Sequence, residues 1–384
     1  MLSGVQLEVT DCYQYLGIKL RPSGSLSFAA EELSAKARKA WYSISSLVYK
    51  DKRMSVSRAF QLFDSLVTPV ALYACEFWLP FVLPKKSFNS KTSLLSAWDG
   101  LKCETINQQC ARMIFSVHRK ASRLAVLGDL GRYPLAIKAM AQTLSYRQCL
   151  LSKPADSPIG LAMAEMRDMA KKGTDCWLTR TNKMADLLNV PSGQYCNSKF
   201  SSRPILKSIK GSFDRYWIDE ISSSRVGKDG EPHNKLLSYS SFKSSFTVEP
   251  YLLLVQNRNQ RCHLSRLRVS AHRLGCEILR YRQPPVPRSQ RFCKYCPPVP
   301  GAGLQAAVRP VDDEVHCLTA CVAGQGRAEM YNSISASNIN FTNMCNINKF
   351  KTLVCSTTSY NCKIVSRFLK DQFRKRDEID LGSV

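Results

Sequence analysis

The sequence predicts a mainly α-helical protein with a small N-terminal β-hairpin and a small C-terminal zinc module. Three observations support this fold class. Apolar residues recur at intervals of three and four over most of the 384-residue chain, as they do on amphipathic helices. Apolar and polar residues alternate near the start, which is typical of strands. Three cysteines and one histidine between residues 293 and 321 have the spacing of metal ligands.

The alternation near the start covers residues 5–9 and residues 13–20. It predicts a pair of strands, and the slip of its phase at Leu16 and Gly17 predicts a bulge. Pro22 follows closely, and a turn there ends the element.

Amphipathic helices are predicted from residue 27 onward. Ser27, followed within about one turn by two glutamates, has the composition of a helix N-terminus. Residues 128–134 predict a turn with a helix behind it, residues 154–160 a loop, and residues 191–204 a linker. The apolar positions predicted to face the core of successive helices are Leu33, Ala37, Ala40, Ile44 and Leu47; Val56, Phe60, Phe63 and Leu66; Leu72, Tyr73, Phe77 and Trp78; Ile106, Cys110, Met113 and Ile114; Leu135, Met140, Leu144 and Leu151; and Leu206, Ile209, Phe213, Trp217 and Ile221.

The most apolar stretch of the chain covers residues 66–83. It contains Glu76, Pro69 and Pro80. A charge and two prolines argue against a membrane span and favour a core segment, so we expect no membrane partner.

The composition is strongly basic. Lys and Arg number 55 and Asp and Glu number 30, which gives a formal net charge of +25. An excess of this size favours a polyanionic partner such as RNA or DNA over a role in solubility alone. The first residues have neither a basic segment nor an apolar core, which predicts no secretory signal. We therefore expect reduced thiols and metal ligands in an intracellular protein, nuclear or cytoplasmic.

Residues 258–291 combine an apolar seam with a cationic face. Apolar residues between Leu264 and Ile278 step by three and four, which lays the seam along a helix. Nine arginines stand against the single acid Glu277, and guanidinium groups match phosphate oxygens; the alternative is a solvated charged face. The side chains predicted to bind nucleic acid are Arg261, Arg266, Arg268, Arg273, Arg280 and Arg282, with Lys36 and Lys39 on the first helix and Arg374 and Arg376 in the basic tail.

The metal-ligand pattern reads C-x2-C-x19-H-x4-C and comprises Cys293, Cys296, His316 and Cys321. Three thiolates and one imidazole suit tetrahedral zinc. The acidic residues 312–314 predict the start of a short helix just before the histidine. Neighbouring cysteine 317 is an alternative ligand, and a chance C-x2-C in a chain with 16 cysteines is the other alternative.

Several segments occur in the order that one protein family shows. They are Tyr13-Gln-Tyr15-Leu-Gly-Ile18, Leu62-Phe-Asp-Ser-Leu-Val-Thr-Pro69, Leu72-Tyr-Ala-Cys-Glu76-Phe-Trp78, Gly128-Asp-Leu-Gly131-Arg-Tyr-Pro-Leu135, Leu267-Arg-Val-Ser-Ala-His272 with Glu277, and the Cys293 to Cys321 array. Over about residues 5–330 the chain resembles the C-terminal half of the reverse transcriptase of non-LTR retrotransposons, of the LINE-like or jockey-like type.

The resemblance implies three regions. They are a reverse-transcriptase thumb-like region over residues 1–80, a helical connector over 81–253, and an Arg-rich helix with a CCHC zinc knuckle over 254–330. Beyond the resemblance, residues 331–384 are predicted to form a basic helical tail. The resemblance also implies that this part of the polymerase grips template RNA and target DNA during target-primed reverse transcription, with a structural zinc ion. The palm and fingers of the polymerase are implied as a further partner.

The polymerase of that family holds its catalytic metal ions on paired aspartates in a Tyr-x-Asp-Asp hairpin, upstream of the Tyr-Leu-Gly-Ile segment. This chain begins after that point, and its only Asp-Asp pair, Asp312 and Asp313, is interpreted as a helix start. We therefore expect a nucleic-acid-binding fragment that does not catalyse DNA synthesis alone. The alternatives are a protein-interaction scaffold stapled by zinc and a nonfunctional relic of a truncated element.

Overall fold

The computed structural model of the chain describes residues 10–190, 202–223, 235–298, 309–336, 338 and 340–382. Helices dominate these residues, and the two strands among them form an antiparallel hairpin, so the predicted fold class is confirmed. The alternation at residues 5–9 and most of the predicted linker at residues 191–204 lie outside the described residues.

The helices follow one another along the chain with short connections. In chain order they are α1 (Ser27–Lys50), α2 (Val56–Leu66), α3 (Thr68–Ala71), α4 (Cys75–Val82), α5 (Lys91–Ser96), α6 (Lys102–Phe115), α7 (Arg123–Leu130), α8 (Leu135–Leu151), α9 (Pro158–Lys171), α10 (Trp177–Leu187), α11 (Arg203–Ser222), α12 (Leu237–Ser240), α13 (Pro250–Leu254), α14 (Arg258–Arg268), α15 (Gly275–Ile278), α16 (Glu314–Thr319), α17 (Arg327–Ser335), α18 (Asn346–Val354) and α19 (Ser359–Gly382). Short 3-10 helices cover Lys85–Asn89, Ala97–Gly100, Leu279–Tyr281, Arg288–Gln290 and Phe341–Asn343. Across the described ranges, no helix combines the length and the apolar character that a membrane crossing needs.

The hairpin consists of β1 (Tyr13–Tyr15) and β2 (Ile18–Leu20), and Tyr15 pairs with Ile18. Leu16 and Gly17 have φ angles of 46° and 83°, so they form the two-residue turn between the strands. The predicted bulge is therefore wrong, because the slip in the alternation marks the turn itself. Tyr73 donates a hydrogen bond to the Leu16 carbonyl oxygen at 2.8 Å, which holds the leucine in this unfavourable conformation.

The chain forms two compact units. The first comprises Met1–Ser45, Gln61–Cys110 and Tyr133–Tyr216, and the second comprises Ser46–Phe60, Ala111–Arg132 and Trp217–Val384. The arginine-rich segment and all four predicted metal ligands belong to the second unit, whereas the hairpin and the two predicted lysines of α1 belong to the first.

In the first unit, α1 buries Leu33 and Trp41. Trp41 meets Phe63 edge to face, with ring centroids 5.6 Å apart. The sequence predicts that Ala40 and Leu47 face the core as well, but Ala40 is half-buried and Leu47 is 56% exposed. The prediction fails here because burying a large indole removes more apolar surface from water than burying alanine does.

Most of the other predicted core positions are confirmed. The apolar positions predicted to face the core on α2, α6, α8 and α11 are buried. The exceptions are Leu66, Met113, Leu151 and Leu206. The apolar stretch at residues 66–83 divides, because Leu72 and Trp78 are buried while Tyr73 and Phe77 are exposed.

The core of the second unit contains a buried ionic network. Arg268 donates from Nε to Oδ2 of Asp129 at 2.7 Å and from Nη2 to Oδ1 at 3.0 Å, and Nη2 lies 2.8 Å from Oε2 of Glu249. The hydroxyls of Tyr239 and Tyr251 donate to the same aspartate at 3.0 and 3.3 Å. Burial raises the pKa of both tyrosines, so they remain neutral donors. The aspartate and arginine therefore tie α7 to α14.

Gly128 lies against this network, in the last turn of α7 and before the turn at Gly131. A Cβ atom at Gly128 would lie 2.3 Å from Cζ2 of the buried Trp217 and 2.8 Å from the Tyr239 hydroxyl. We expect Gly128→Ala to lower the free energy of unfolding by about 1–3 kcal/mol, because neither aromatic side chain has room to move. Urea denaturation measures this effect.

The matched control is Gly211→Ala, in the interior of α11, where a Cβ atom meets nothing within 4 Å. Alanine should raise stability there by roughly 0.5–1 kcal/mol, because glycine weakens helix interiors. Equal effects at the two glycines would contradict the close packing at Trp217.

The apolar seam of the arginine-rich segment does not lie on one helix. α14 ends at Arg268 and α15 begins only at Gly275. The Gly275 amide donates to Oδ2 of Asp312 at 2.7 Å, and the Cys276 amide donates to the Asp312 carbonyl oxygen at 3.0 Å. These hydrogen bonds hold the start of α15 against the segment that leads to His316. Ile278, the last residue of the predicted seam, is exposed.

Candidate metal centre and basic surface

An antiparallel bridge brings the two parts of the predicted metal site together. Phe292 pairs with Val311, and the Cys293 amide donates to the Pro310 carbonyl oxygen at 2.7 Å. The bridge therefore places the C-x2-C turn beside the segment that leads to His316.

A short helix positions the other two ligands. The carboxylate of Asp313 accepts a hydrogen bond from the His316 amide at 2.9 Å, so Asp313 is the N-cap of α16. The Cys321 amide donates to the His316 carbonyl oxygen at 2.9 Å just beyond the end of the helix. The helix start predicted at residues 312–314 is confirmed. The helix carries His316, and Cys321 follows directly after the helix end.

The ligand atoms of Cys293, Cys296, His316 and Cys321 all lie within 4.8 Å of one another. The sulfurs of Cys293 and Cys321 are 3.8 Å apart, and the Cys296 sulfur is 3.3 Å from Nε2 of His316. Two sulfurs that bind one tetrahedral ion at about 2.3 Å each are about 3.8 Å apart, so this spacing fits a metal site. It is far too long for a disulfide. The four residues therefore form a cluster that can hold one metal ion.

The three thiols of the cluster differ in acidity. A hydrogen bond with Cys293 lowers the pKa of Cys321 well below the usual range, and His316 and Arg376 add to this effect. The same hydrogen bond, together with burial, raises the pKa of Cys293, and burial raises the pKa of Cys296. Cys321 is thus the most acidic of the three thiols, and thiolates are the form that binds metal.

Cys317 lies next to His316 in α16 but is not part of the cluster. Consecutive residues of a helix point about 100° apart, so the two side chains cannot serve the same ion easily. Burial raises the pKa of Cys317 to about 12, which keeps it a neutral thiol. The alternative ligand that the sequence leaves open is therefore not supported.

A second group of potential ligands, His272, Cys276 and Glu314, is fully buried. Its glutamate is already occupied: Nε2 of His272 lies 2.9 Å from Oε1, and the hydroxyls of Ser270 and Ser238 donate to Oε1 and Oε2 at 3.0 and 2.7 Å. Although burial raises the pKa of Glu314, the hydrogen bond and charge of His272 lower it overall to well below its usual range. Both carboxylate oxygens are satisfied without an ion, so we assign this group a structural role.

The structure separates the ten predicted nucleic-acid-binding side chains into three classes. Arg280 is half-buried beside Glu277, with a distance of 3.3 Å between Nε and the carboxylate. The exposed ones are Lys36, Lys39, Arg266, Arg273, Arg282 and Arg374. The buried ones are Arg261, Arg268 and Arg376.

The buried arginines correct the prediction of phosphate contacts. Arg268 is bound to internal carboxylates, and its side chain has no exposed surface. Arg261 donates to the carbonyl oxygens of Val255 and Gln256, and only 2% of this arginine is exposed. Neither can reach a phosphate in this fold. Arg376 is bound to Asp312 and to the Cys321 sulfur of the candidate metal site. The count of arginines could not show this, because a guanidinium group binds an internal carboxylate as readily as a phosphate.

Sequence reasoning missed two residues at the cluster. Nη1 of Arg376 donates to both oxygens of Asp312, at 2.8 and 3.0 Å, and Nη2 lies 3.0 Å from the Cys321 sulfur. Asp312 was interpreted as part of a helix start and Arg376 as part of an exposed basic tail. The two are 64 residues apart, and no local pattern connects them.

No protein-family model, curated protein or solved structure matches this chain. The function must therefore be inferred from the candidate metal site and from the basic side chains that are exposed.

Proposed function

We propose that this chain binds RNA or DNA, that it derives from the C-terminal half of a non-LTR retrotransposon reverse transcriptase, and that Cys293, Cys296, His316 and Cys321 hold a structural zinc ion. The short distances among these four side chains support the proposal of a metal site. The net charge of +25 and the exposed arginines of the second unit support the proposal of nucleic-acid binding. In this proposal the chain grips template RNA and target DNA.

Zinc is the metal that the ligand set favours. Three sulfurs and one imidazole nitrogen in a closed arrangement are typical of structural zinc sites, whereas catalytic sites keep a position for water. All three cysteines are at most 5% exposed, so solvent reaches the ion poorly. Zinc would hold the C-x2-C turn against α16, and it would supply stability rather than chemistry.

The exposed arginines of the second unit supply the observation on which nucleic-acid binding depends. The Arg273 side chain is 83% exposed, and its nearest carboxylate, on Asp377, is 3.8 Å away. Arg266 donates from Nε to the Ser116 carbonyl oxygen at 3.0 Å and is exposed, as is Arg282. An exposed arginine whose ion pair is long and open to solvent keeps most of its charge available for phosphate.

We expect replacement of Arg266, Arg273 and Arg282 together by glutamine to weaken binding of both single-stranded RNA and duplex DNA. Each phosphate contact contributes about −0.7 to the slope of log K against log salt for single strands and about −0.9 for duplex DNA. The triple variant should therefore flatten this slope by about 2–3. Sequence preference should change little, because phosphate contacts do not read bases. Fluorescence anisotropy over a salt series measures the slope.

The control removes the same charge from another exposed surface, in the triple glutamine variant of Arg167 and Lys171 on α9 and of Lys172 directly after it. It should leave the slope close to that of the unmodified chain. Equal slopes in all three proteins, with unchanged circular dichroism, would refute the arginine interface. A discrete protein partner together with weak, salt-insensitive RNA binding would then favour the zinc-stapled scaffold.

A further inference from the structure

The C-terminal helix α19 reaches the metal cluster through Arg376. Nη2 of this arginine lies 3.0 Å from the Cys321 sulfur, and Nη1 donates to both carboxylate oxygens of Asp312. The Arg376 guanidinium also lies over the ring of Tyr295, 4.8 Å from its centroid, and the Tyr295 hydroxyl donates to the Arg376 carbonyl oxygen at 3.2 Å. Arg376 is 4% exposed and Asp312 is 5% exposed. One buried side chain thus joins the helix, the C-x2-C turn and a proposed ligand.

The loop after Cys321 packs closely against the same face of α19. A Cβ atom at Gly324 would lie 2.3 Å from Oε1 of Gln372 and 2.8 Å from the Phe368 ring. Phe368, Gln372 and Arg376 follow one another at intervals of four, so they share one face of the helix. Among the described residues, neither polar atom of the Gln372 side chain has a hydrogen-bond partner. On this face, Arg376 therefore provides the polar link to the metal-ligand loop.

The charges of a filled site strengthen this link. Three thiolates contribute −3 and a divalent ion contributes +2, and the neutral imidazole adds nothing, so the filled site carries −1. A buried negative charge is costly unless a cation or a hydrogen-bond donor compensates it. Arg376 supplies the donor to Cys321, while its positive charge is shared with Asp312, which orients the guanidinium group and accepts from the Gly275 amide. The arginine is thus placed as an outer-sphere partner of a thiolate ligand.

We propose that Arg376 is a positioning residue of the metal centre, and that metal binding and the docking of the C-terminal part of α19 stabilise each other. This inference depends on the proposed metal at the four-residue cluster. If the metal strengthens the contact between Arg376 and Cys321, the docked helix must strengthen metal binding by the same factor. The C-terminal helix is then part of the metal module and is not a separate basic tail.

The full-length reduced chain tests this inference with Arg376→Gln and the matched control Arg374→Gln, whose side chain is 63% exposed on the same helix. Competition with a chelator should show zinc affinity about 10–100-fold lower in the Arg376 variant and unchanged in the control. In cobalt-loaded protein the thiolate-to-metal charge-transfer band should move to longer wavelength in Arg376→Gln alone, because a sulfur without its hydrogen bond is oxidised more easily. Amides 372–378 of the unmodified chain should exchange faster after zinc is removed.

The outcomes separate this inference from the proposed metal site. A chain that binds no zinc would remove the metal centre and this inference together. The inference would be overturned, and the metal site left intact, if the two variants bind zinc with equal affinity and zinc does not change the exchange rate at residues 372–378. If Arg376→Gln does not fold, exchange in the unmodified chain with and without zinc decides the question, and Arg376→Lys should retain part of the affinity because it keeps the charge.

Discussion

If the proposed zinc is bound, its removal is expected to expose the predicted metal-ligand segments, residues 290–298 and 309–326, to protease, while the helices of the first unit stay folded. A structural zinc contributes about 10–16 kcal/mol of folding free energy in small peptides, so its loss should outweigh the hydrogen bonds that remain at the Phe292–Val311 bridge and at Asp312. The apolar cluster at the predicted ligands comprises Cys293, Cys296 and Cys321, with Tyr295 and Ala323 against them, whereas Cys317 and Leu318 of α16 are buried outside it. Limited proteolysis with and without a chelator, followed by mass spectrometry, measures the effect.

The control for this experiment uses two neighbouring buried cysteines. Cys321→Ser removes a proposed ligand and should abolish the one equivalent of zinc, whereas Cys317→Ser should retain it. Metal analysis that finds no zinc in freshly purified, reduced protein would contradict the assignment. Loss of zinc in the Cys317 variant and its retention in the Cys321 variant would instead reassign the ligand.

The second large effect is expected from Asp129→Ala, which should lower the free energy of unfolding of the second unit by about 3–5 kcal/mol. The variant leaves Arg268 buried with Glu249 as its remaining carboxylate. It also removes the carboxylate that accepts from the Tyr239 and Tyr251 hydroxyls, which keep only the Ala125 carbonyl oxygen and the Ser265 hydroxyl as acceptors. Losing one partner of a buried ion pair costs more than the pair itself contributes, because the remaining charge stays out of water. Hydrogen exchange of the α14 amides over a urea series reports on this unit.

Asp377→Ala is the matched control, because its side chain is 56% exposed and lies 3.8 Å from Arg273. A surface ion pair of this kind contributes at most about 1 kcal/mol, so the control should change stability little. A similar loss in both variants, or none in Asp129→Ala, would show that the buried network does not stabilise the second unit as we infer.

Local sequence patterns predicted those features whose causes lie within a few residues. Asp313 caps α16 three residues before His316, and Leu16 and Gly17 form a turn between strands that they directly join. Even there the pattern gave the location of the turn and not its type, since a phase slip is the same for a bulge and for a tight turn. In α1 the prediction was wrong where Trp41 competes with Ala40 for the core, because periodicity alone does not rank side chains by size.

The sequence alone was enough to predict the mainly helical fold, the net positive charge and the four cysteine and histidine residues that the fold gathers, because helical periodicity, composition and residue spacing are all properties of the chain. Only the tertiary structure decided which arginines remain available to phosphate. Arg268 binds Asp129, 139 residues away, and Arg376 binds Asp312, 64 residues away. An arginine's charge is set by its chemistry, but its partner is set by which carboxylate or sulfur the fold brings within about 3 Å of it in the buried interior.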